Sequence, residues 1–124
     1  MCPNAAIQMS SEIQLLTQAL RSFSRERDWE KFHSPKNLAM ALAVEAAELL
    51  EHFQWMTEDE SKTQIPETAA EIAAEAADVF LYLLQLADKL GIDLVDEARA
   101  KMQTNALKYP VDLAKGSRTK YNKL

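Results

Sequence analysis

The sequence predicts an all-α protein, a four-helix bundle that assembles into an oligomer. Ala and Leu dominate the composition, and both favour helices. Only two Gly and four Pro occur in 124 residues, too few for a β-rich fold with many tight turns. Apolar residues also recur at helical spacing through four successive segments. A hydrophobic content of 48% in a chain this short permits one core. Residues 1–124 therefore read as one domain, with a core from about 10 to 110 and a basic, weakly ordered tail over 111–124.

The first helix is expected from a cap at Ser10 or Ser11 to about Arg27, with Ile13, Leu16, Leu20 and Phe23 as its apolar stripe. Ser34 before Pro35 announces the second, an N-cap followed by Pro at the first helical position. It should reach about Phe53, and its stripe reads Leu38, Leu42, Glu45, Leu49 and then His52 or Phe53. Glu45 thus fills a slot where an apolar residue is expected, the kind of local violation that marks functional sites. Residues 55–66 are polar and acidic and read as a loop. The third helix should run from near Glu67 to Gly91, a natural C′ residue. One face carries Ile72, Ala76, Val79, Leu83, Leu86 and Leu90, while Phe80, Leu81 and Leu84 occupy others. A helix apolar nearly all round is buried on several sides, and in so small a chain some of those sides should meet another subunit. Asp93 can cap the fourth helix, with Asp96 and Glu97 favourable in its first turn, and Pro110 ends it.

The lone Cys2 allows no intrachain disulfide and fits a reducing, cytoplasmic compartment. The first residues lack a secretory pattern. The wholly apolar runs, 38–44 and 79–84, are far too short to span a bilayer. Neither a membrane nor a nucleic-acid partner is expected.

Two acid pairs carry the chemistry: Glu45 with Glu48, and Glu75 with Asp78. Each is spaced i, i+3, so both carboxylates of a pair leave one helix face about a turn apart. Between Lys36 and Lys89 there are eleven Asp or Glu and a single base, Lys62. Acids so gathered repel one another and lose hydration unless a cation compensates them. Oxygen ligands suit a hard divalent ion, Mg²⁺ first and Mn²⁺ next. Glu71 shares the face of Glu75 and Asp78, whereas Glu51, Glu58, Asp59, Glu60 and Glu67 read as solvated. Other site types lack their residues. A di-iron bundle needs Glu-x-x-His motifs on its helices. Glu30 and His33 have that spacing only in the segment ahead of the Ser34–Pro35 helix start, His52 follows no Glu by three, and both His read as structural. One Cys and two His cannot build a zinc cluster, and Gly91 and Gly116 stand apart from any Gly-rich phosphate loop.

Basic residues gather elsewhere. After Ala98 there are seven Lys or Arg and one acid, Asp112. Lys101, Asn105 and Lys108, at i, i+4 and i+7, put two cations and an amide on one face that suits phosphate oxygens. Among the aromatics Trp29, Phe32, Trp55, Tyr82 and Tyr109, any could stack on a nucleobase. Core packing is the expected role for Phe32 and Tyr82, and ligand contact for Trp55 beside its polar loop.

Taken together, these residues resemble a known group. Arg27, Asp28, Trp29, Phe32, His33, Pro35, Asn37 and Leu38 lead into Glu45, Ala46, Ala47 and Glu48, then Phe53, Gln54 and Trp55. Later come Glu75, Ala76, Ala77 and Asp78, then Lys101, Met102, Asn105, Tyr109 and Pro110. Together they resemble the MazG-like all-α nucleoside triphosphate pyrophosphohydrolases, most closely the dCTP pyrophosphatase branch, over roughly residues 12–110. The resemblance implies a tetramer built as a dimer of dimers, with Mg²⁺ held by Glu45, Glu48, Glu75 and Asp78. It implies substrate contacts at Trp29, Asn37, Trp55, Tyr82, Lys101, Asn105 and Tyr109, with Lys108 where the family often has Arg. The reaction implied is (d)NTP plus water giving (d)NMP plus pyrophosphate, with Glu45 or Glu48 orienting the water and dCTP favoured. Leu20 stands where vertebrate members carry a base-stacking His, which loosens the expected preference for cytosine. The competing reading is a helical oligomerisation or nucleotide-binding regulatory module without turnover.

Overall fold

The computed structural model describes the backbone over residues 5–124 and the side chains over 12–124. Cys2 lies outside the described residues. No strand occurs among them, and the long elements are four helices: α1 (Ala5–Glu26), α2 (Pro35–Glu51), α4 (Pro66–Leu90) and α5 (Leu94–Lys108). Short helical pieces join them: a 3₁₀ turn at Glu30–Phe32, α3 at Glu58–Ser61, α6 at Val111–Ala114 and a last 3₁₀ turn at Tyr121–Lys123. The residues form two compact units, one ending at Gly91 and the other spanning Ile92–Leu124.

The start of α1 corrects the sequence reading. The helix is already formed at Ala5, so neither Ser10 nor Ser11 caps it. Ala5, Ala6, Ile7, Gln8 and Met9 contain no breaker, and a Ser pair inside a helix costs only tenths of a kcal/mol (~0.5) per residue. Its C-terminus is a paired-hydrogen-bond stop. The Trp29 amide donates to the Ser24 carbonyl at 2.9 Å and the Asp28 amide to the Arg25 carbonyl at 3.1 Å. Asp28 takes φ 54°, the left-handed position that such a stop requires and that Asp tolerates better than most residues. The accompanying apolar contact is present too: the Phe23 and Trp29 rings meet edge to face at 5.7 Å. This stop fixes where Trp29 emerges.

Ser34 caps α2 as expected, its hydroxyl accepting from the Asn37 amide at 3.1 Å, with Pro35 at the first helical position. The Asn37 side chain donates to the Phe32 carbonyl at 3.0 Å, bracing the 3₁₀ turn against the helix start. Residues 55–66 are not all loop. Thr57 caps the four-residue α3, its hydroxyl accepting from the Glu60 amide at 3.1 Å, and Glu58, Asp59 and Glu60 fill the first turn where the helix dipole favours acids. A Thr followed three residues later by Glu is a helix-start signature that the acidity of the stretch obscured. Helix α4 begins at Pro66 and stops at Gly91, whose φ of 66° is left-handed.

Helix α4 packs most extensively on α2 and to a lesser extent on α1. Leu38 from α2 and Leu84 and Ala87 from α4 are the fully buried apolar residues among those described. Arg21 on α1 grips Asp88 on α4 through two hydrogen bonds, one from Nε at 2.8 Å and one from its terminal nitrogen. Many apolar side chains stay open in the single chain, including Met40, Val44 and Leu50 on α2 and Phe80 on α4. Phe32, expected in the core, is 57% exposed on its 3₁₀ turn, because that turn lies outside the α2–α4 seam.

In the second unit Asp93 caps α5, its carboxylate accepting from the Asp96 amide at 3.1 Å. Asp96 and Glu97 occupy the first turn and Tyr109, just ahead of Pro110, closes the helix. Tyr109 and Tyr121 meet edge to face at 6.0 Å, and Lys108 Nζ lies 4.7 Å from the Tyr121 ring centre. No helix among the described residues is long and apolar enough to cross a membrane.

Candidate metal and nucleotide site

The i, i+3 spacing turns Glu45 and Glu48 to one face of α2 and Glu75 and Asp78 to one face of α4. Packing of α2 on α4 closes the pairs on each other: one carboxylate oxygen from each of Glu45, Glu48 and Glu75 lies within 4.8 Å of the other two. All three are half-buried, while Asp78 is more open. Glu45 Oε2 and Glu75 Oε2 are buried and find no hydrogen-bond partner. None of the ion pairs among the described residues involves these four acids. Glu71, by contrast, faces His52 at 3.9 Å across the same two helices.

Such crowding leaves a mark on protonation. Loss of hydration, then hydrogen bonding with Glu48 and Glu75 and repulsion from Glu48 and Asp78, push the Glu45 carboxyl up to about 7. Without a cation, the cluster lowers its charge by keeping a proton near pH 7. A divalent ion would satisfy both orphaned oxygens and the uncompensated charge together, and an all-oxygen donor set suits Mg²⁺ or Mn²⁺. The residues present fit a divalent metal.

Near the acids lies a cleft of about 340 Å³, lined by α1, α4 and the residues on either side of the 3₁₀ turn, Trp29 and His33. Its aromatic walls are Phe23, Trp29 and Tyr82, its aliphatic walls include Leu20 and Leu81, and Asp78 lies on its rim. Asp78, whose charge also acts on Glu45, is the one of the four acids in the cleft lining. Its volume falls at the lower end of the usual range for small-molecule sites, about 300–1,000 Å³. Of the residues singled out from sequence, the structure brings Glu45, Glu48 and Glu75 together, and gathers Asp78, Trp29 and Tyr82 around the cleft. Asn37 is engaged with the Phe32 carbonyl, and Trp55 is 88% exposed and lies outside the cleft lining. Lys101, Asn105, Lys108 and Tyr109 belong to the second unit, where Lys101 and Asn105 are exposed one turn apart on α5.

Sequence reasoning passed over three polar residues of the cleft: Ser24, His33 as a cleft residue, and Gln85. Ser24 is 5% exposed with its hydroxyl 3.4 Å from His33 Nδ1. Gln85 did carry a signal, since it follows Asp78 by seven and Tyr82 by three and so shares their helix face.

Fold and site together define a helical protein with a cluster of acids on α2 and α4 and an aromatic cleft that Asp78 helps to line. The chain belongs to the MazG-like family, which residues 40–124 match. It is 44% identical over 104 residues to dCTP pyrophosphatase 1 of Mus musculus, covering 82% of this chain and 61% of that protein. It is 43% identical over 104 residues to dCTP pyrophosphatase 1 of Homo sapiens, again covering 82% and 61%. The chain therefore spans less than two thirds of the length of these curated relatives. Its fold is similar to the crystal structure of a pyrophosphatase from Archaeoglobus fulgidus DSM 4304, with a TM-score of 0.75 and 41% identity over 80% of this chain and 93% of that one.

Proposed function

We propose that the chain is a nucleoside triphosphate pyrophosphohydrolase converting (d)NTP and water to (d)NMP and pyrophosphate, with dCTP favoured. One observation carries the reading: Asp78 borders both a cluster of uncompensated carboxylates and an aromatic cleft, so a charged phosphate end and a flat nucleoside end have adjoining seats. The names of the relatives support the same reaction.

Glu45, Glu48, Glu75 and Asp78 are the proposed holders of Mg²⁺, or Mn²⁺ in its place. Bound there, the ion supplies charge neutralisation and Lewis acidity at the phosphates. Leu20, Trp29 and Tyr82 enclose the nucleoside and exclude water from it. Glu45 or Glu48 accepts a hydrogen bond from the attacking water through a carboxylate oxygen and takes up its proton as the water oxygen bonds to the α-phosphorus. The bond from the α-phosphorus to its bridging oxygen breaks in line, and pyrophosphate leaves. Lys101, Asn105 and Lys108 are proposed to bind phosphate oxygens, Asn37 and Tyr109 the nucleotide, and Trp55 the base from a neighbouring subunit. The exposed Met40, Val44, Leu50, Phe80 and Trp55 support a homo-oligomer, proposed as a tetramer. A cytoplasmic setting suits a chain with a single cysteine.

Incubation with the eight common NTPs and dNTPs and Mg²⁺, with inorganic pyrophosphatase converting product pyrophosphate to phosphate, tests the reading. Phosphate release that depends on both the added pyrophosphatase and Mg²⁺ is expected. Binding without product would leave a nucleotide-binding module in its place, and neither binding nor product an oligomerisation module.

A further inference from the structure

The apolar and aromatic side chains of the cleft give walls for a base but nothing that reads its edge. Leu20 offers an apolar surface, and Phe23, Trp29 and Tyr82 offer faces that any base can stack on. Such a pocket separates substrates of similar shape poorly, whereas a placed hydrogen-bonding group separates them well. The polar candidates are Ser24, His33 and Gln85. Ser24 and His33 face each other at 3.4 Å. Gln85 is half-buried, and its amide nitrogen donates to the Leu81 carbonyl at 3.4 Å. That leaves the amide oxygen without a donor among the described residues.

Its place on α4 matters as much as its chemistry. Asp78, Tyr82 and Gln85 follow one another at i, i+4 and i+7 on a single helix face, and all three line the cleft. With a rise of about 1.5 Å per residue, Gln85 lies about 10 Å along the axis from Asp78. That is the span from a nucleotide's phosphates to the far edge of its base. A triphosphate anchored at the acids would lay its sugar along Tyr82 and bring its base edge to Gln85.

We propose that Gln85 is the residue that reads the base, and that it selects bases bearing an exocyclic amine. The inference rests on the nucleotide-hydrolase reading above. With its nitrogen turned to the Leu81 carbonyl, the amide presents an acceptor, which pairs with the amine of cytosine and opposes the carbonyl that uracil carries at the same position. Leu20 and Gln85 thereby divide the work, one supplying the wall and the other the discrimination.

The cleanest comparison is dCTP against dUTP, which differ only along that edge. The parent should prefer dCTP by about tenfold in kcat/KM, the worth of one well-placed hydrogen bond against an unpaired acceptor, with the difference lying in KM. Gln85→Met keeps the length and packing of the side chain but removes the acceptor, and should bring the ratio near one. A purely structural role would leave the ratio intact while shifting both substrates together. Calorimetric binding of dCMP and dUMP in EDTA, to parent and variant, gives the same comparison without turnover. A parent that hydrolyses both triphosphates with a ratio untouched by Gln85→Met overturns Gln85 as the reader and leaves the hydrolase reading standing. If the parent hydrolyses neither, the hydrolase reading falls and the monophosphates decide: a dCMP preference lost in Gln85→Met upholds the base contact, and equal binding by the parent removes it.

Discussion

Binding of a divalent cation should displace a proton from Glu45, and the displacement should be countable. The Glu45 carboxyl is pushed up to about 7 by lost hydration first, then by hydrogen bonding with Glu48 and Glu75 and repulsion from its acidic neighbours. Metal ligation needs the ionised form. At pH 6 a group titrating near 7 is about 90% protonated, so binding should release about 0.9 proton; at pH 8 the release should fall to about 0.1. The affinity follows: between pH 7.5 and 5.5 it should weaken about 25-fold, the ratio of the ionised fractions at the two pH values. Titration calorimetry with Mn²⁺ in two buffers of different ionisation enthalpy counts the protons directly. Stability carries the same sign. The folded-state value lies above the ordinary 4.5, so the metal-free folded chain holds more protons than the unfolded one between these values. Metal-free stability therefore falls as pH rises from about 4.5 to about 7 and levels off above. Glu45→Gln should remove the release and weaken binding. Tight binding at pH 6 with no proton released would refute a crowded cluster centred on Glu45.

Leu38→Ala should cost about 2–5 kcal/mol in chemical denaturation, since Leu38 is 1% exposed at the α2–α4 seam and leaves a cavity there; a loss below about 1 kcal/mol would mean the seam collapses freely. Light scattering at micromolar concentration should give the mass of a homo-oligomer, expected as a tetramer, and a mass near the 14.0 kDa of one chain would contradict that assembly. Trp55→Ala should raise KM more than it lowers kcat, because stacking on the base is present in ground and transition states alike; an unchanged KM would remove Trp55 from the base pocket.

What the sequence disclosed and what it concealed divide along physical lines. Local rules were readable: Ser34 with Pro35, Asp93 and Gly91 each mark a helix end through their own backbone chemistry, and each does so in the structure. The i, i+3 acids were readable because spacing on a helix fixes the face, and Glu45 broke an apolar stripe conspicuously. The boundary at Ala5 was not readable, because a Ser pair is equally at home as a cap or inside a helix. The end of α1 near Arg27 was readable, but not the kind of stop, because Asp28, instead of Gly, takes the left-handed position. Tertiary packing concealed the rest. Nothing in the spacing alone places α1 beside Tyr82, so the cleft and the place of Ser24 in it depend on tertiary packing, while Gln85 shares a helix face with Asp78 and Tyr82 that the spacing does disclose. The exposure of Phe32 likewise depends on which seam its turn avoids.

Attack of water on the α-phosphorus, with pyrophosphate as leaving group, can be tested by one isotope measurement. Hydrolysis of dCTP with Mg²⁺ in ¹⁸O-labelled water, followed by mass spectrometry of the products, locates the new oxygen. The label should appear in dCMP, with unlabelled pyrophosphate alongside it. Labelled orthophosphate with dCDP, or labelled pyrophosphate, would place the attack at another phosphorus and contradict the account.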